Sequence, residues 1–344
     1  MLTPREVSLT ADSIESCQLK NGMILWHENG HSDPWNHVEA AMALSVSSRF
    51  KAAEKAYEWL MSSQRPDGSW YNYYRSDSIE DFRIDTNVCA YPSVGVWQHY
   101  LMTGDKGFLE TMWTTVERAL NFVLSLQVDT GEIIWCVEPD GEKGKYALLT
   151  GSSSISMSLA AGIGVASVLG EEKPEWELGL LKLNNAIKNH PYLFEPKEEY
   201  AMDWYYPVLA GIKRGEDGKM HLKESWDTFV MDGLGVRCVS YRPWVTAAET
   251  AECALALDAL DLKNESLQML SCTNIFRQSD GSYLTGIVFP ENATFPHEET
   301  TTYTSGAILL ANAALTMSGS AAHIFRKDGL ISLFEDSYSV SDPL

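Results

Sequence analysis

The chain has 344 residues, of which 45% are hydrophobic and 11% are aromatic, so it can bury a large core as one big domain or as two ordinary ones. Its formal net charge of −21 removes the main attraction to nucleic acid and also disfavours an anionic membrane surface. A neutral substrate is compatible with this charge, and the plainest reason for it is solubility.

Six segments along the chain are rich in small and apolar residues and poor in charge. A helix that is apolar nearly all round is buried, so each segment predicts an inner helix. In chain order they begin near Asp33 ("DPWNHVEAAMAL"), Asp85 ("DTNVCAYPSVGVWQHYL"), Gly151 ("GSSSISMSLAAGIGVASVL"), Asp203 ("DWYYPVLAGI"), Arg242 ("RPWVTAAETAECALAL") and Thr301 ("TTYTSGAILLANAAL"). The segments between them, such as "FKAAEKAYEWL" and "DKGFLETMWTTVERALNFVL", carry more charge and predict half-exposed helices.

Four of the connections between helices share one form: a glutamine, a short turn containing glycine, and then an aromatic residue. The clearest is "QRPDGSWYNYY", which follows an amphipathic helix. The four sets are Gln18, Gly22 and Trp26; Gln64, Gly68 and Trp70; Gln127, Gly131 and Trp135; and Gln278, Gly281 and Tyr283. The glutamines lie 46, 63 and 151 residues apart. A period near about 50 residues gives about six units and indicates a repeat architecture.

The alternation of buried and half-exposed helices predicts the fold. Six of each make an all-α (α/α)6 toroid, in which an inner ring of helices is surrounded by an outer ring. We expect residues 1–344 to form this toroid as a single domain.

The repeated turns resemble the QW motif of terpenoid cyclases and of prenyltransferase-type toroids. Six-hairpin glycosidases share the same toroid. The arrangement of "DPWNHVEAA", "DTN", "DWYYPVL" and "RPWVTAAET" is similar to that of a bacterial group often labelled prenyltransferase. Some members of that group act as hydrolases on methylated mannose polysaccharides, so the resemblance implies an α-mannan or a methylated mannan as substrate.

Unusual polar and aromatic residues stand at the starts of the predicted inner helices. Because these helices run parallel in a toroid, their N-terminal ends converge on one cavity. We expect that cavity to be lined by Asp33, Trp35, Asn36, Glu39, Asp85, Asn87, Tyr91, Ser152, Ser153, Ser154, Asp203, Trp204, Tyr205, Tyr206, Arg242, Trp244, Glu249, Glu298, Thr301 and Tyr303. Carboxylates combined with aromatic faces are typical of sites that cleave glycosidic bonds, where two acids act and rings stack on sugars.

Several of these acids also have a purely structural interpretation. Asp33, Asp85 and Asp203 are each placed to cap a helix, a role that Asp commonly fills. Glu298 lies before the sixth inner helix, where a negative charge is favourable. Glu249 stands among alanines of an inner helix, where an unpaired carboxylate is costly, and pairing with Arg242 or Arg237 is its structural alternative. Glu252, three residues on, shares much of that face, and either glutamate fits the functional role.

The sequence favours a glycoside hydrolase with Asp33 and Glu249 as its catalytic pair. Glu249 is the predicted general acid and Asp33 the base that positions water, with inversion at the anomeric carbon. The two roles are interchangeable on this evidence, and Asp85 or Asp203 is an alternative to Asp33. Trp35, Trp204, Tyr205 and Trp244 are expected to stack on sugars, and Asn36, Asn87 and Arg242 to bind hydroxyls.

Two other functions remain open from the sequence. A terpenoid cyclase or prenyltransferase acting on an isoprenoid needs an Asp-x-Asp-Asp or Asp-Asp-x-x-Asp run, and the chain contains neither. A toroid that binds glycans without cleaving them would keep the aromatic residues but lack a competent pair of carboxylates. Asp85 and Cys89 lie one helical turn apart, but spacing places no third zinc ligand, so we expect no metal and no cofactor.

The sequence also predicts where the protein works. The segment "MLTPREVSLTADSIESC" has no basic and no apolar region of the kind found in signal peptides. The apolar stretch "SMSLAAGIGVASVLG" is short for a membrane span of about 20 residues and predicts a buried helix. The six cysteines contain no Cys-x-x-Cys pair and lie mostly in apolar segments, which favours free thiols and a cytoplasmic location.

Overall fold

The computed structural model describes residues 1–317, 319 and 324–326. The expected single domain, 1–344, also includes residues 318, 320–323 and 327–344, which lie outside the described part of the chain. The helices are α1 (Pro4–Ser16), α2 (Pro34–Val46), α3 (Phe50–Ser63), α4 (Thr86–Ala90), α5 (Pro92–Thr103), α6 (Lys106–Leu124), α7 (Leu149–Leu169), α8 (Pro174–Asn189), α9 (Ala201–Leu209), α10 (Gly215–Glu224), α11 (Trp226–Phe229), α12 (Ala247–Ala259), α13 (Lys263–Ser271) and α14 (Thr302–Thr316).

Two concentric rings of helices form the molecule, which confirms the predicted (α/α)6 toroid. Within residues 1–317, the inner ring runs in order through α2, α4 with α5, α7, α9, α12 and α14, and α14 packs against α2 to close it. The outer ring consists of α1, α3, α6, α8, α10 and α13. The inner helices are buried along most of their length because their small side chains allow close packing on both sides.

The repeated turns follow the outer helices α1, α3, α6 and α13 and contact the next outer helix. In the second turn, the Gln64 side-chain amide donates to the carbonyl of Gly68, 2.9 Å away, and to the carbonyl of Thr115 in α6, also 2.9 Å away. Gly68 has φ of +93°, and a Cβ at this position would lie 2.3 Å from the Arg118 carbonyl oxygen. The glycine is therefore required both by its backbone conformation and by the close approach of α6.

The fourth turn differs in register from the other three. Gly281 follows Arg277 by four residues, which is the spacing that separates Gln64 from Gly68. The Arg277 guanidinium pairs with the Glu6 carboxylate of α1, while the Gln278 amide donates to the Phe276 carbonyl 3.0 Å away. The expected role of Gln278 is thus filled by Arg277. Gly281 packs against the backbone of α1, so this turn closes the outer ring.

Short strands cover the end of the toroid at which the inner helices begin, a feature that the all-α expectation did not include. The strands are β1 (Tyr73–Tyr74), β2 (Ile79–Asp81), β3 (Ile84–Asp85), β4 (Cys136–Val137), β5 (Val230–Met231), β6 (Gly235–Arg237), β7 (Trp244–Thr246), β8 (Gly286–Val288) and β9 (Ala293–Thr294). The last five form one antiparallel sheet in chain order, with Val245 opposite Ile287. The fifth inner helix therefore starts at Ala247, because Trp244–Thr246, predicted as helix, pair with β8 instead.

The apolar helix α7 is an inner helix, as the sequence predicts. In the described part of the chain it is the one helix whose length and composition would let it cross a membrane, and 83% of its apolar window is buried inside the protein. Burial against α5, α6, α8 and α9 accounts for its composition.

Candidate active site

A cavity of about 690 Å³ opens at the N-terminal ends of the inner helices. Its volume lies within the usual range for ligand sites, about 300–1,000 Å³. Among the described residues, four carboxylates line it: Asp33, Asp85, Glu249 and Glu299. Aromatic side chains line it as well, namely Trp26, Trp35, Tyr73, Trp135, Tyr206, Trp244 and Tyr303.

Asp33 is both a helix cap and a residue of the cavity wall. Its Oδ1 accepts the backbone N–H of Asn36 at 2.9 Å, which caps α2. Its Oδ2 accepts the Trp26 indole N–H at 2.7 Å and the Asn36 side-chain amide at 2.5 Å. Burial raises the pKa of Asp33, while these hydrogen bonds act in the opposite direction by favouring the carboxylate. Asp33 therefore caps α2 and lines the cavity with the same side chain.

Asp85 has the same arrangement in the next inner unit. Its Oδ1 accepts the backbone N–H groups of Asn87 and Val88 at 2.8 and 3.1 Å, which caps α4, and its Oδ2 accepts the indole N–H of Trp135. Burial raises the pKa of Asp85 to about 6, and the charge of Asp33 adds to the increase. The two aspartates therefore lie close enough to influence each other.

The glutamates of the cavity are held by fewer contacts. Glu249 lies in the first turn of α12 and is half-buried; it contacts the Cys238 thiol and makes no ion pair with any residue of the described chain. Pairing with Arg242 or Arg237 is thus not seen. Glu299 accepts a hydrogen bond from the Thr285 hydroxyl at 3.0 Å. Both carboxyl groups face the cavity from the α12 to α14 side.

A second layer of acids lies beneath the cavity, where Glu39 and Glu252 are only 3% and 2% exposed. The Tyr91 hydroxyl donates to Glu39, and the hydroxyls of Tyr205 and Tyr303 donate to Glu252, that of Tyr303 at 2.9 Å. Burial raises the pKa of Glu39 to about 7 and that of Glu252 well above its ordinary value. Glu252 is therefore the buried member of the pair on α12, and Glu249 is the member that reaches the cavity.

The predicted site residues fall into four groups. Those that line the cavity are Asp33, Trp35, Asn36, Asp85, Asn87, Tyr206, Trp244, Glu249, Thr301 and Tyr303. Those buried beneath it are Glu39, Tyr91, Ser152, Ser153, Ser154 and Tyr205. Asp203 and Trp204 line a different cavity, because α9 begins two residues before Asp203 and turns both side chains away. Arg242 and Glu298 are exposed outside the cavity, since the chain runs as loop at both positions, and Glu299 lies in the wall instead of Glu298.

Sequence reasoning missed other residues of the wall, notably Trp26, Trp135, Asn72, Tyr73 and Arg83. The spacing in sequence distinguishes Trp26 and Trp135 from the buried tryptophan of the second turn. Each lies eight residues after the glutamine of its turn, whereas Trp70 lies six residues after Gln64 and is fully buried. The two extra residues carry the indoles out of the core and onto the capping aspartates.

Arg83 is the one cationic residue that the described chain contributes to the cavity wall. Its Nη2 lies 2.7 Å from Asp81 Oδ2, and this pairing lowers the pKa of Asp81 to about 2. Its guanidinium also lies 5.8 Å from the Trp135 ring centre. The described residues include no group of three or more His, Cys, Asp or Glu side chains placed to hold a metal ion.

Comparisons with known proteins agree with this geometry, although no protein-family model matches the sequence. An MMP endo-(1,4)-3-O-methyl-α-D-mannosidase from Mycolicibacterium hassiacum is 44% identical over 326 residues, which is 95% of this chain and 90% of the relative. A glycosidase solved in complex with glucose has a TM-score of 0.71 at 12% identity and covers 94% of this chain and 97% of its own. A sugar epimerase from a ruminal bacterium has a TM-score of 0.67 at 10% identity, with coverage of 94% and 98%.

The solved structures share the fold alone, since enzymes with different reactions have it. The mannosidase relative carries more weight because its identity extends over nearly the whole chain. None of these three proteins supports the prenyltransferase label. The chain belongs to the family of the Mycolicibacterium hassiacum endo-mannosidase and is a glycoside hydrolase.

Proposed function

We propose that this enzyme cleaves internal 1,4 linkages of a polysaccharide built from 3-O-methylated α-mannose, with inversion at the anomeric carbon. The observation that carries the proposal is the pairing of Asp33 and Glu249 in one aromatic-lined cavity. The name of the 44% identical relative supports the substrate class and the internal position of cleavage.

The two acids stand on inner helices that are two places apart in the ring. α14 packs between α2 and α12, and its Tyr303 ring lies 5.2 Å from the Trp35 ring of α2. Aromatic surface therefore lies between the Asp33 and Glu249 positions. Aromatic faces suit the C–H faces and methyl groups of a methylated sugar. We propose that Trp35, Tyr303 and Trp244 contact the sugars and that Asn36 and Asn87 bind hydroxyls.

In this mechanism Glu249 gives its proton to the glycosidic oxygen as the bond from that oxygen to the anomeric carbon breaks. Asp33 takes a proton from a water molecule, whose oxygen attacks the anomeric carbon from the opposite face. Asp33 suits the role of base because the hydrogen bonds that it accepts from Trp26 and Asn36 fix the positions of its two oxygens. Burial raises the pKa of Asp33, so its carboxylate is a stronger base. Glu249 suits the role of acid because its carboxyl group lies in the cavity wall and no ion pair in the described chain occupies it.

The test is a screen of methylated and unmethylated mannans, with the first-formed product followed by proton NMR. We expect cleavage of the methylated α-1,4 polymer and reducing ends that appear first as the β anomer. Reducing ends that appear first as the α anomer would replace inversion by retention. Activity on isoprenoid diphosphates, with none on glycans, would overturn the proposal altogether.

The free thiols bear on where the enzyme acts. All six cysteines are free, and three of them are buried. We propose a cytoplasmic location on this ground, since exposed and half-buried thiols persist in a reducing compartment. Fractionation of the native host, followed by immunodetection, tests it.

A further inference from the structure

A second cavity, of about 540 Å³, lies beside the first on the same end of the toroid. Aromatic side chains of three elements line it: Tyr192 and Phe194 of the loop after α8, Trp204 of α9, and Phe229 of α11. Tyr192 is 78% exposed at its rim, and the Trp204 and Phe229 rings stack with centres 5.3 Å apart. The cavity thus has the aromatic character of the catalytic one without belonging to it.

The two cavities share a wall one residue thick. Thr150 lines the first cavity and its chain neighbour Leu149 lines the second. Met202 and Asp203 divide in the same way. The wall is fixed by Asp203, whose Oδ1 accepts the backbone N–H of Thr150 at 3.1 Å and also its hydroxyl. A chain molecule that leaves the first cavity over this wall enters the second.

An aromatic pair continues the surface from one cavity to the other. Trp135 lines the first cavity, and Tyr146 stacks on it with ring centres 5.3 Å apart and planes 17° from parallel. Tyr146 is 36% exposed. The residue after it, Ala147, bridges to Phe194, and its carbonyl accepts the Glu195 N–H at 2.9 Å. This pairing brings the Trp135–Tyr146 stack to the edge of the second cavity.

The acidic side chains of the second cavity favour a neutral ligand over an anionic one. Glu195, Glu198, Asp203 and Glu224 line it against a single lysine, Lys197, within the described chain. An anionic ligand would be repelled by this excess of carboxylates. Aromatic rings with acceptors around them suit a neutral polyol that has apolar faces, because rings contact C–H groups and carboxylates accept hydroxyls.

We propose that the second cavity is a remote subsite, which holds sugar units of the same polysaccharide at a distance from the bond being cleaved. The Trp135–Tyr146 stack contacts the polysaccharide where it crosses the wall formed by Thr150 and Asp203. This inference rests on the proposed function, since it takes a neutral methylated glycan as the polymer. It also gives Asp203 and Trp204 a place in substrate binding outside the catalytic cavity.

The test compares a long methylated mannan with the shortest oligosaccharide that the wild-type enzyme cleaves. Tyr146→Ala and Tyr192→Ala should each lower the ratio of kcat/KM for the long substrate to that for the short one, by about twofold to tenfold, because one sugar-stacking ring is lost. Tyr241→Ala is the matched control, since Tyr241 is 66% exposed on a neighbouring loop and lines neither cavity. Its ratio should equal that of the wild type, and thermal unfolding checks the fold of each variant.

A second measurement does not depend on turnover. Isothermal titration calorimetry of the Glu249→Gln protein should show tighter binding of the long glycan than of the short one. Adding Tyr192→Ala to that protein should remove this difference in affinity. The subsite is overturned if the variants change neither the ratio of kcat/KM values nor the difference in affinity. It is also overturned if they lower kcat/KM equally for the long and the short substrate. If the wild type cleaves no methylated mannan but the affinity advantage is present and depends on Tyr192, the proposed function fails and the subsite stands.

Discussion

The two sides of the candidate catalytic cavity hold their carboxylates in different ways. On the side of α2 and α4, Asp33 and Asp85 each cap a helix and each accept a tryptophan indole N–H. On the side of α12, Glu249 makes no ion pair within the described chain, and Glu299 accepts one hydroxyl group. One side is thus held by backbone and indole donors, and the other by fewer contacts, with the Cys238 thiol at Glu249 and the Thr285 hydroxyl at Glu299.

This difference matches the unequal needs of an inverting reaction. The base has to align a small water molecule, so a carboxylate with fixed oxygens is suited to it. The acid has to follow the leaving oxygen as the bond breaks, and a carboxyl group with few fixed contacts is suited to that. The predictions that follow test this division, starting with the largest expected effect.

Replacing Glu249 by glutamine removes the proposed proton donor but keeps the shape of the side chain. We expect kcat to fall by about 10²- to 10⁴-fold, the usual contribution of a general acid. Thermal unfolding should change little, because Glu249 is half-buried and makes no ion pair within the described residues. Glu298→Gln is the matched control, since Glu298 is exposed outside the cavity. Wild-type activity of Glu249→Gln on a confirmed substrate would remove Glu249 from the mechanism.

Asp33→Asn and Asp85→Asn form a matched pair that separates capping from catalysis. Asparagine caps a helix about as well as aspartate, but its NH2 group replaces the oxygen that accepts the indole N–H, so each variant loses the same indole bond. We expect Asp33→Asn to lower kcat by about 10²-fold through loss of the base, and Asp85→Asn to lower it far less. Steady-state kinetics on one substrate decides between them. Equal losses would mean that Asp85, the alternative to Asp33, shares the role of base.

The pH dependence of stability is the next test of the fixed side. The pKa of Asp85 is raised to about 6 in the folded protein from an ordinary value of 3.8. The folded state therefore binds this proton more tightly than the unfolded state, so the related stability is complete below about pH 4 and is lost as the pH rises through about 6. A shift of about two units corresponds to about 3 kcal/mol.

The Asp85→Asn variant lacks this titration. Relative to the variant, the wild type should lose about 3 kcal/mol of unfolding free energy between about pH 3 and pH 7. Urea denaturation of both proteins at several pH values measures the difference. Asp203 and Glu39 also titrate, but they are present in both proteins, so their contributions cancel in the comparison. A constant difference across this range would show that Asp85 is not desolvated as its burial implies.

Much of the toroid was predictable because its signals are local and repeated. Charge-poor segments marked the inner ring, and Gln64 and Gly68 marked the turn that contacts α6. The five-stranded sheet was not predictable in this way, because Trp244–Thr246 and Gly286–Val288 pair across about 40 residues. Local propensity cannot report such a partner.

The candidate site was predictable in part for a related reason. Asp33 and Glu249 lie at helix starts, which fold topology alone brings together. Trp204 failed as a catalytic-cavity residue because one turn of α9 decides which cavity its ring enters. Arg83 was missed because it lies in a loop between short strands, where sequence periodicity does not predict which way a side chain points.

The smallest expected effect concerns the indole donors and distinguishes the two aspartates most directly. Trp26→Phe keeps an aromatic ring but removes the N–H that favours the charged form of Asp33. Without that bond the charged form loses a donor, so the pKa of Asp33 rises further. The acid limb of the kcat–pH profile reports the base, so it should move to higher pH. Trp135→Phe raises the pKa of Asp85 instead and should leave the limb in place. A shift with Trp135→Phe and none with Trp26→Phe would transfer the role of base from Asp33 to Asp85.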